Sequence, residues 1–511
     1  MSGPGGRRRV LVGGVVVDGT GSPARPATVT MVGDRIESVR DVDGSAASGD
    51  DADGQEVTGP GVDVIDVAGA VVAPGFIDVH THDDFAALLY PELAYKLCGG
   101  VTTVIVGNCG MGAAPRAQAR AMAAAFHAGE ELPPYEGYAG YLGALDAAPP
   151  SANLAALVGH GTVRASVMGA ATGAPDERQV RELLRTVGEG LDAGCIGLSS
   201  GLIYEPGRHA TTDELVTLAR AAGDAGGIYA SHIRDEGSGL LGALAEAVTV
   251  GEQARVPVRV SHLKAAGRDA RGLVGPALDL LVAARLRGVD VRWDQYPYTA
   301  GSTLLEAVVD TLGGSTGSGL GALAPDDVVV SSCAGGRGWE GSSIADLAAA
   351  WSVDPTEAAQ RVLAGDPGTM VVLHMMDEAD VRTVLAHPGT LIGSDGLPTL
   401  GGTPHPRLYG TFARVLGTFV RTEGLVRLED AVHRMTGASA DAFGLADRGV
   451  LRAGAAADVV VFDPDSIDDV ATYEDPQRPP VGVRRVIVNG VDTVVDGRHT
   501  GARAGMVLRR R

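Results

Sequence analysis

The sequence predicts an α/β fold, a TIM-like (β/α)8 barrel of eight parallel strands, with a small β domain made from both chain ends and an insertion late in the barrel. Three observations carry that expectation. Polar residues that end successive β-rich runs, His160, Ser200, His232, His262 and Tyr296, recur at intervals of 40, 32, 30 and 34 residues, and each interval holds one helix and two loops. Adding APGFIDVHTH and VTTVIVGN before these runs and TLIGSDG after them gives eight strands, enough to close a barrel. Outside this rhythm both ends of the chain change to short alternating strands with no helices between them.

Taken in order, residues 1–70 form the first part of the β domain. RVLVGGVVVD, TVTMVGDRIESVR and VIDVAG read as strands separated by Gly, Asp and Pro turns, and 45–61, rich in Asp, Gly and Ser, reads as a loop. Residues 71–440 form the barrel, whose strands are APGFIDVHTH, VTTVIVGN, NLAALVGHG, CIGLSSG, GIYASHI, VPVRVSHLK, DVRWDQYPY and TLIGSDG. Two helices between them are clear. In 175–194 the residues Val180, Leu183, Leu184, Val187 and Leu191 make one apolar stripe, with Asp176 to cap its start and Gly194 its end. Thr211-x-x-Glu214 is a capping-box pattern that opens the next helix, carrying Leu215, Leu218 and Ala219. Between Tyr298 and Gly389 lies more chain than one helix needs, including Gly/Ser-rich 313–321, VVVSSC and MVVLH, so an insertion is expected at about 303–370. In 441–511, RGVLRAGAAADVVVFD and VRRVIVNGVDTVVDG return to short strands. Each terminal piece alone has too few strands to bury a face, so the two are expected to pair.

Composition narrows the function classes. A chain of 511 residues with 45% hydrophobic and 21% charged residues matches a folded globular protein and excludes general disorder. A formal charge of −21 disfavours nucleic acid and anionic membrane surfaces as partners. Arg7, Arg8 and Arg9 precede the apolar run 10–17, but Asp18 cuts it short and no small-residue cleavage site follows. Four scattered cysteines, at 98, 109, 195 and 333, do not make a disulfide framework, so a cytoplasmic protein is expected.

In a parallel barrel the C-terminal strand ends share one face, where catalytic groups collect. His80 and His82 end the first strand, and residues two apart in a strand point to one side, so the two imidazoles can converge on an ion. Alone, such a pair is weak evidence and reads equally as hydrogen-bonded loop histidines. The pair gains weight because His232 and His262 end two other strands, each after a serine. Cys109 sits in GNCGMG, where glycines let the backbone turn the thiol inward, and thiolate with imidazole is a zinc-type donor set. Cys98, Cys195 and Cys333 fit inert cysteines better. Asp395, in IGSDGLP, is the remaining carboxylate at the mouth, either a turn residue or a proton shuttle. Asp83 and Asp84, next to the H-x-H pair, are candidates to orient one of its rings.

In combination, APGFIDVHTHDD, GVTTVIVGNCGMG, ALVGHGTVR, GLSSGLIYEPG, YASHIRDE, SHLK, DQYPYTAGST, GSDGLP, HPRLYGTF and DRGVLRAGAAADVVVFDP resemble the N-acyl-D-amino-acid deacylases (D-aminoacylases) of the amidohydrolase superfamily. GNCGMG, GLSSGLIY and DQYPYTAGST are the most specific of these to that branch. The resemblance implies a zinc-dependent hydrolase with a TIM-like barrel, a β-sandwich formed by both ends and a late insertion. It implies that Cys109, His232 and His262 hold a tightly bound zinc, that His80 and His82 hold a second, weaker one bridged by Cys109, and that Asp395 is catalytic. Tyr204, Lys264, Tyr296 and Ser302 resemble substrate-binding positions. His160 is a candidate oxyanion donor, Lys264 with Tyr296 a candidate clamp for a free α-carboxylate, and Arg407 a second cation for an acidic side chain. The expected substrate is a small N-acyl amino acid. A cyclic-amide hydrolase of the dihydroorotase or hydantoinase kind and a non-catalytic relative are the alternatives. Acyl group, side chain and oligomeric state are not legible in the sequence.

Overall fold

Short runs rich in Val, Ile and Leu, buried on both faces, build the wall of the barrel, as parallel strands covered by helices require. The computed structural model describes residues 7–42, 61–127, 129–312, 319–333 and 337–510. The expected loop at 45–61 lies outside these except for Gly61, as does most of the Gly/Ser-rich 313–321.

The strands Phe76–Asp78, Val101–Val106 and Asn153–Ala156 form one parallel set. Val158–Gly159, Gly197–Gly201, Ile228–His232, Val258–Val260, Val291–Gln295 and Thr390–Ile392 form the other, each pairing in parallel with the next. The two sets meet at Leu157, whose N–H reaches Val106 O at 2.9 Å. A parallel bridge between Thr81 and Gly396 joins the first and last strands beyond their ends. Eight strands thus close on themselves, and the closure brings His80 beside Asp395, whose N–H donates to His80 O at 2.7 Å.

The two helices read from periodicity are present as Glu177–Asp192 and Thr212–Asp224. The first carries a full capping box between Asp176 and Gln179, and buries Leu183, Val187 and Leu191 while Val180 and Leu184 stay half-buried. Gly194, past its end, has φ +110°, and a side chain there would meet Arg509 at 2.6 Å. The second helix has only half of its box. Thr211 Oγ1 accepts from the Glu214 N–H at 3.2 Å, but the Glu214 carboxylate turns inward to His160 and Arg164. Two buried cationic partners outcompete one backbone N–H.

Both ends of the chain enter one curled sheet. Arg8–Val12, Arg25–Val32 and Val71–Pro74 come from the front, and Val459–Phe462 and Val483–Val488 from the back, meeting where Val459–Phe462 runs antiparallel to Val71–Pro74. Leu11, Val29, Met31 and Val72 share a core with Val459, Val461 and Ile487. At the junction with the barrel Arg448 pairs with buried Asp458, which also accepts from Asn153 Nδ2 at 3.0 Å and the Asn489 N–H at 2.7 Å.

Ala300–Leu304, Met370–His374 and Val328–Ser332 form a separate antiparallel sheet between the seventh and eighth barrel strands, joined by the helices Ile344–Trp351 and Pro355–Gly365. Its first strand borders the mouth of the barrel. Tyr204 Oη lies 3.0 Å from Thr303 Oγ1, and Arg407 Nη2 donates to Ser302 O at 3.3 Å.

Candidate metal centre

Three residues at the mouth have a left-handed backbone, which is uncommon for side chains other than glycine: Cys109 at φ +54°, His262 at +35° and Asp395 at +49°. The conformation turns each side chain off its strand direction and toward the barrel axis. At Cys109 the neighbouring glycine is a requirement. A Cβ on Gly110 would lie 2.7 Å from Gly201 N, and one on Gly201 would lie 2.0 Å from Cys109 O. The thiol loop therefore rests directly on the backbone of the fourth strand.

Cys109 Sγ lies 3.3 Å from His80 Nε2 and 3.6 Å from His262 Nε2. Asp395 Oδ1 lies 3.5 Å from His80 Nε2 and 3.3 Å from His82 Nε2. The His232 and His262 rings meet edge to face with centroids 4.4 Å apart. Both nitrogens of the buried His232 ring are without a hydrogen-bond partner, as is His82 Nδ1. Donors bound at ~2.0–2.3 Å to a tetrahedral zinc are themselves about 3.3–3.7 Å apart. The separations, the thiolate-and-imidazole chemistry and the unpartnered His232 nitrogens all fit such an ion.

The charges agree with ligand roles. Burial opposes ionisation of Cys109, but the His80, His232 and His262 rings outweigh it and bring the thiol well below its usual range. Burial likewise opposes the Asp395 carboxylate, and Arg407, His262 and His82 overcome it, holding the group ionised. Arg407 Nη2 is 3.0 Å from Asp395 Oδ2.

Two carboxylates orient the rings. Asp294 Oδ2 is 3.4 Å from His80 Nδ1, while Asp294 Oδ1 accepts from the His262 N–H at 3.0 Å. Glu236 Oε1 is 2.9 Å from His262 Nδ1 and accepts from Lys264 Nζ at 2.6 Å. Such contacts fix a ligand ring's tautomer and direction. Asp83 and Asp84 are the candidates for that task from the sequence, and the structure places them otherwise. Asp83 is instead occupied by Thr81 Oγ1 and Tyr95 Oη, each at 2.6 Å. Asp84 is buried near His82, and burial raises its carboxyl to about 7 against the lowering pull of that ring. Glu236 stands four residues after the candidate ligand His232, and Asp294 two before Tyr296, a candidate substrate-binding residue, so proximity to a candidate site residue was the available signal for both.

Beneath the mouth, Lys96 Nζ donates to Asp78 Oδ2 at 2.7 Å and to Ser394 Oγ at 2.8 Å, with Asp83 Oδ2 at 3.4 Å. Asp78 Oδ1 accepts from the Ser394 N–H at 2.8 Å. This buried cluster ties the first strand to the turn that carries Asp395. Nothing in the local sequence marks Lys96, which sits in a four-residue helix, Ala94–Leu97.

The remaining expected residues divide. Tyr204 lines the cavity that opens on Cys109, and its ring meets His232 edge to face at 5.0 Å. Tyr296 is buried with its hydroxyl unpartnered, and the Arg407 guanidinium lies 4.4 Å from its ring centre. Ser302 contributes its carbonyl to Arg407. Two expectations change. His160 Nε2 is bonded to Glu214 Oε1 at 2.8 Å and the residue does not line the cavity, so its ring belongs to a buried His160–Glu214–Arg164 cluster and is not placed as an oxyanion donor. Lys264, expected as the main carboxylate cation, already donates to Glu236, and its Nζ lies 2.7 Å from His262 Nδ1. Arg407, expected as the second cation, has Nε and Nη1 buried without partners. Of the two cations, Arg407 therefore has the more donors to offer.

The sequence pattern of the Amidohydrolase family matches residues 63–277 and 280–494. The chain is 39% identical over 502 residues to a D-aminoacylase of Alcaligenes xylosoxydans xylosoxydans, covering 98% of this chain and 97% of that protein. It superimposes with a TM-score of 0.86 and 37% identity on N-acyl-D-glutamate deacylase from Bordetella bronchiseptica, solved with zinc and a phosphonate mimic of the tetrahedral intermediate, over 98% of this chain and 99% of that one. A D-aminoacylase studied for its binuclear metal centre gives a TM-score of 0.85 at 37% identity, with coverage of 98% and 99%. Barrel, strand-end cluster of candidate ligands and nearly full-length similarity agree, and the chain belongs to the amidohydrolase family.

Proposed function

We propose that the protein is a zinc-dependent hydrolase that cleaves N-acyl-D-amino acids to a carboxylate and a free D-amino acid. The single observation that carries the reading is the convergence of Cys109, His80, His262 and Asp395 on one point, beside an arginine and a tyrosine with unpartnered donors. Cys109, His232 and His262 would hold the tighter zinc, and His80 and His82 a weaker one with Cys109 between them. The chemistry zinc supplies when bound there is activation of water and polarisation of a carbonyl.

The chain's own residues do the rest. Arg407 Nε and Nη1 and the Tyr296 hydroxyl hold the substrate's α-carboxylate, with Lys264 adding positive charge from 5.8 Å over the Tyr296 ring. Asp395, ionised and between the His80 and His82 nitrogens, takes a proton from the attacking water as the new C–O bond forms. It returns that proton to the amine nitrogen as the C–N bond breaks, so no net proton is held. Asp294 and Glu236 keep the His80 and His262 rings aimed through both steps. The D configuration and the substrate class are supported by the similarity to D-aminoacylase and D-glutamate deacylase, reinforced by Cys109 in the ligand set. No helix among the described residues is long and apolar enough to cross a membrane, and the four free cysteines support a cytoplasmic location.

The test is a panel of N-acetyl-D- and N-acetyl-L-amino acids and a cyclic hydantoin, assayed with zinc content measured per chain. Hydrolysis of D members with about one zinc retained is expected, and Cys109→Ala should remove metal and activity together. Preference for the hydantoin, or full zinc occupancy in Cys109→Ala, would overturn the reading.

A further inference from the structure

A cavity of about 520 Å³ opens onto Cys109 and leads away from the carboxylate-binding residues. Lys264, Tyr296 and Arg407 do not line it, so the α-carboxylate and whatever fills this space are held by separate parts of the mouth. On one side stand Met111, Ala125 and Leu304, packed against the apolar cluster of Phe126, Met370 and Leu397. Phe126 in turn lies 6.3 Å from the His82 ring, which places this wall beside the ligand cluster. Ile203 and the ring of Tyr204 form the other side.

The charged residues around the cavity are of one dominant sign. Glu205, Glu306 and Asp366 line it, and Arg208 is the cation among the described lining residues, 3.8 Å from Glu205. A carboxylate entering this space would give up water, meet a net negative rim and find apolar walls behind it, which is unfavourable on every count. An aliphatic or aromatic chain would leave water for those same walls, which is favourable in proportion to its area.

We infer that this cavity receives a bulky, uncharged apolar group of the substrate, and that the enzyme discriminates against anionic amino-acid side chains. The inference rests on the proposed deacylase activity and narrows it to neutral, apolar substrates. The apolar group has two sources in an N-acyl amino acid, the side chain and the acyl chain, and both have the chemistry the walls select.

The experiment measures kcat/KM of the zinc-loaded, full-length enzyme along two arms. The first holds the acyl group as acetyl and varies the amino acid through D-alanine, D-leucine, D-phenylalanine, D-aspartate and D-glutamate. The second holds D-alanine and lengthens the acyl group from acetyl to butyryl to hexanoyl. A rise of at least about 10-fold is expected along one arm, since each methylene in a hydrophobic pocket is worth roughly 10–200-fold, and the arm that rises identifies the occupant. D-Aspartate and D-glutamate should fall at least about 10-fold below the best neutral side chain. Leu304→Ala should shrink the gain from the apolar chain, and Glu306→Lys should raise the D-glutamate to D-leucine ratio. Flat response along both arms, or N-acetyl-D-glutamate or N-acetyl-D-aspartate as the best substrate, overturns the inference and leaves the deacylase reading standing. Absence of hydrolysis of every D substrate would overturn both.

Discussion

The mouth of the barrel and the cluster just beneath it are both buried and both charged, yet they satisfy their polar groups differently. Under the mouth, Lys96 is shared among Asp78, Asp83 and Ser394, Asp83 also accepts from Thr81 and Tyr95, and Ser394 Oγ donates to Asp78 Oδ2 at 2.6 Å. At the mouth, both nitrogens of His232, the hydroxyl of Tyr296, Nε and Nη1 of Arg407 and Oε2 of Glu236 have no hydrogen-bond partner. A buried polar atom left unpaired costs about 1–3 kcal/mol, so a fold keeps several together only where something else is to bind. The lower cluster is closed among its own groups, whereas the upper one leaves open the atoms that the proposed metal and substrate would complete.

That contrast sets out what substitutions should do. The largest effect should come from Asp395→Asn, which removes the proposed proton shuttle and should lower turnover by roughly 10²–10⁴ while zinc content stays near that of the unmodified protein. Near-normal turnover would return Asp395 to a turn residue. Lys96→Met should act the other way, through stability. It strands Asp78 and Asp83 without their cation, at a cost of about 3–5 kcal/mol measurable as a fall in the chemical denaturation midpoint. A variant as stable as the unmodified protein would show that the lower cluster does not hold the scaffold.

Glu214→Gln sharpens the comparison at a second buried cluster away from the metal. Burial raises the Glu214 carboxyl, but His160 and Arg164 outweigh it and hold it below its ordinary 4.5. A carboxyl lowered on folding contributes stability above about pH 4.5 that is lost as pH falls through the folded value. The substitution should cost about 1.5–3 kcal/mol at neutral pH and less as the solution is acidified, with turnover at neutral pH little changed. A cost that did not shrink toward low pH would mean that the carboxylate charge is not what stabilises the cluster. The smallest change in stability should come from Tyr296→Phe, which removes an unpartnered hydroxyl. Stability should stay within about 0.5 kcal/mol of the unmodified value, and KM should rise by roughly 10-fold, the worth of one hydrogen bond to a charged group. A large fall in stability with KM unchanged would place that hydroxyl with the scaffold.

Much of the architecture was legible because it depends on local patterns. The intervals between strand ends give the (β/α) pulse, the stripe over Leu183, Val187 and Leu191 gives a helix that Asp176 caps, and Thr211 gives the cap of the helix after it. The candidate metal donors could be picked out for the same reason, since a strand-end H-x-H and a glycine-flanked cysteine are short-range signals. Glu214 marks the limit of such reasoning. Its spacing from Thr211 spells a capping box, yet its carboxylate goes to His160 and Arg164, which are 54 and 50 residues away in the chain.

The sequence by itself determined the strand count, the parallel order, the pairing of the two chain ends and the set of groups able to bind a metal. Tertiary structure alone decided how those groups are shared. Barrel closure sets Asp395 against His80 and His82 and Arg407 against Asp395. Packing between adjacent strands gives Lys264 to Glu236 and assigns the orienting role to Asp294 and Glu236 instead of Asp83 and Asp84. The physical reason is range. Periodicity and capping act over a few residues, whereas a buried charge takes whichever partner the closed fold brings within about 3 Å, however far away it lies in the chain.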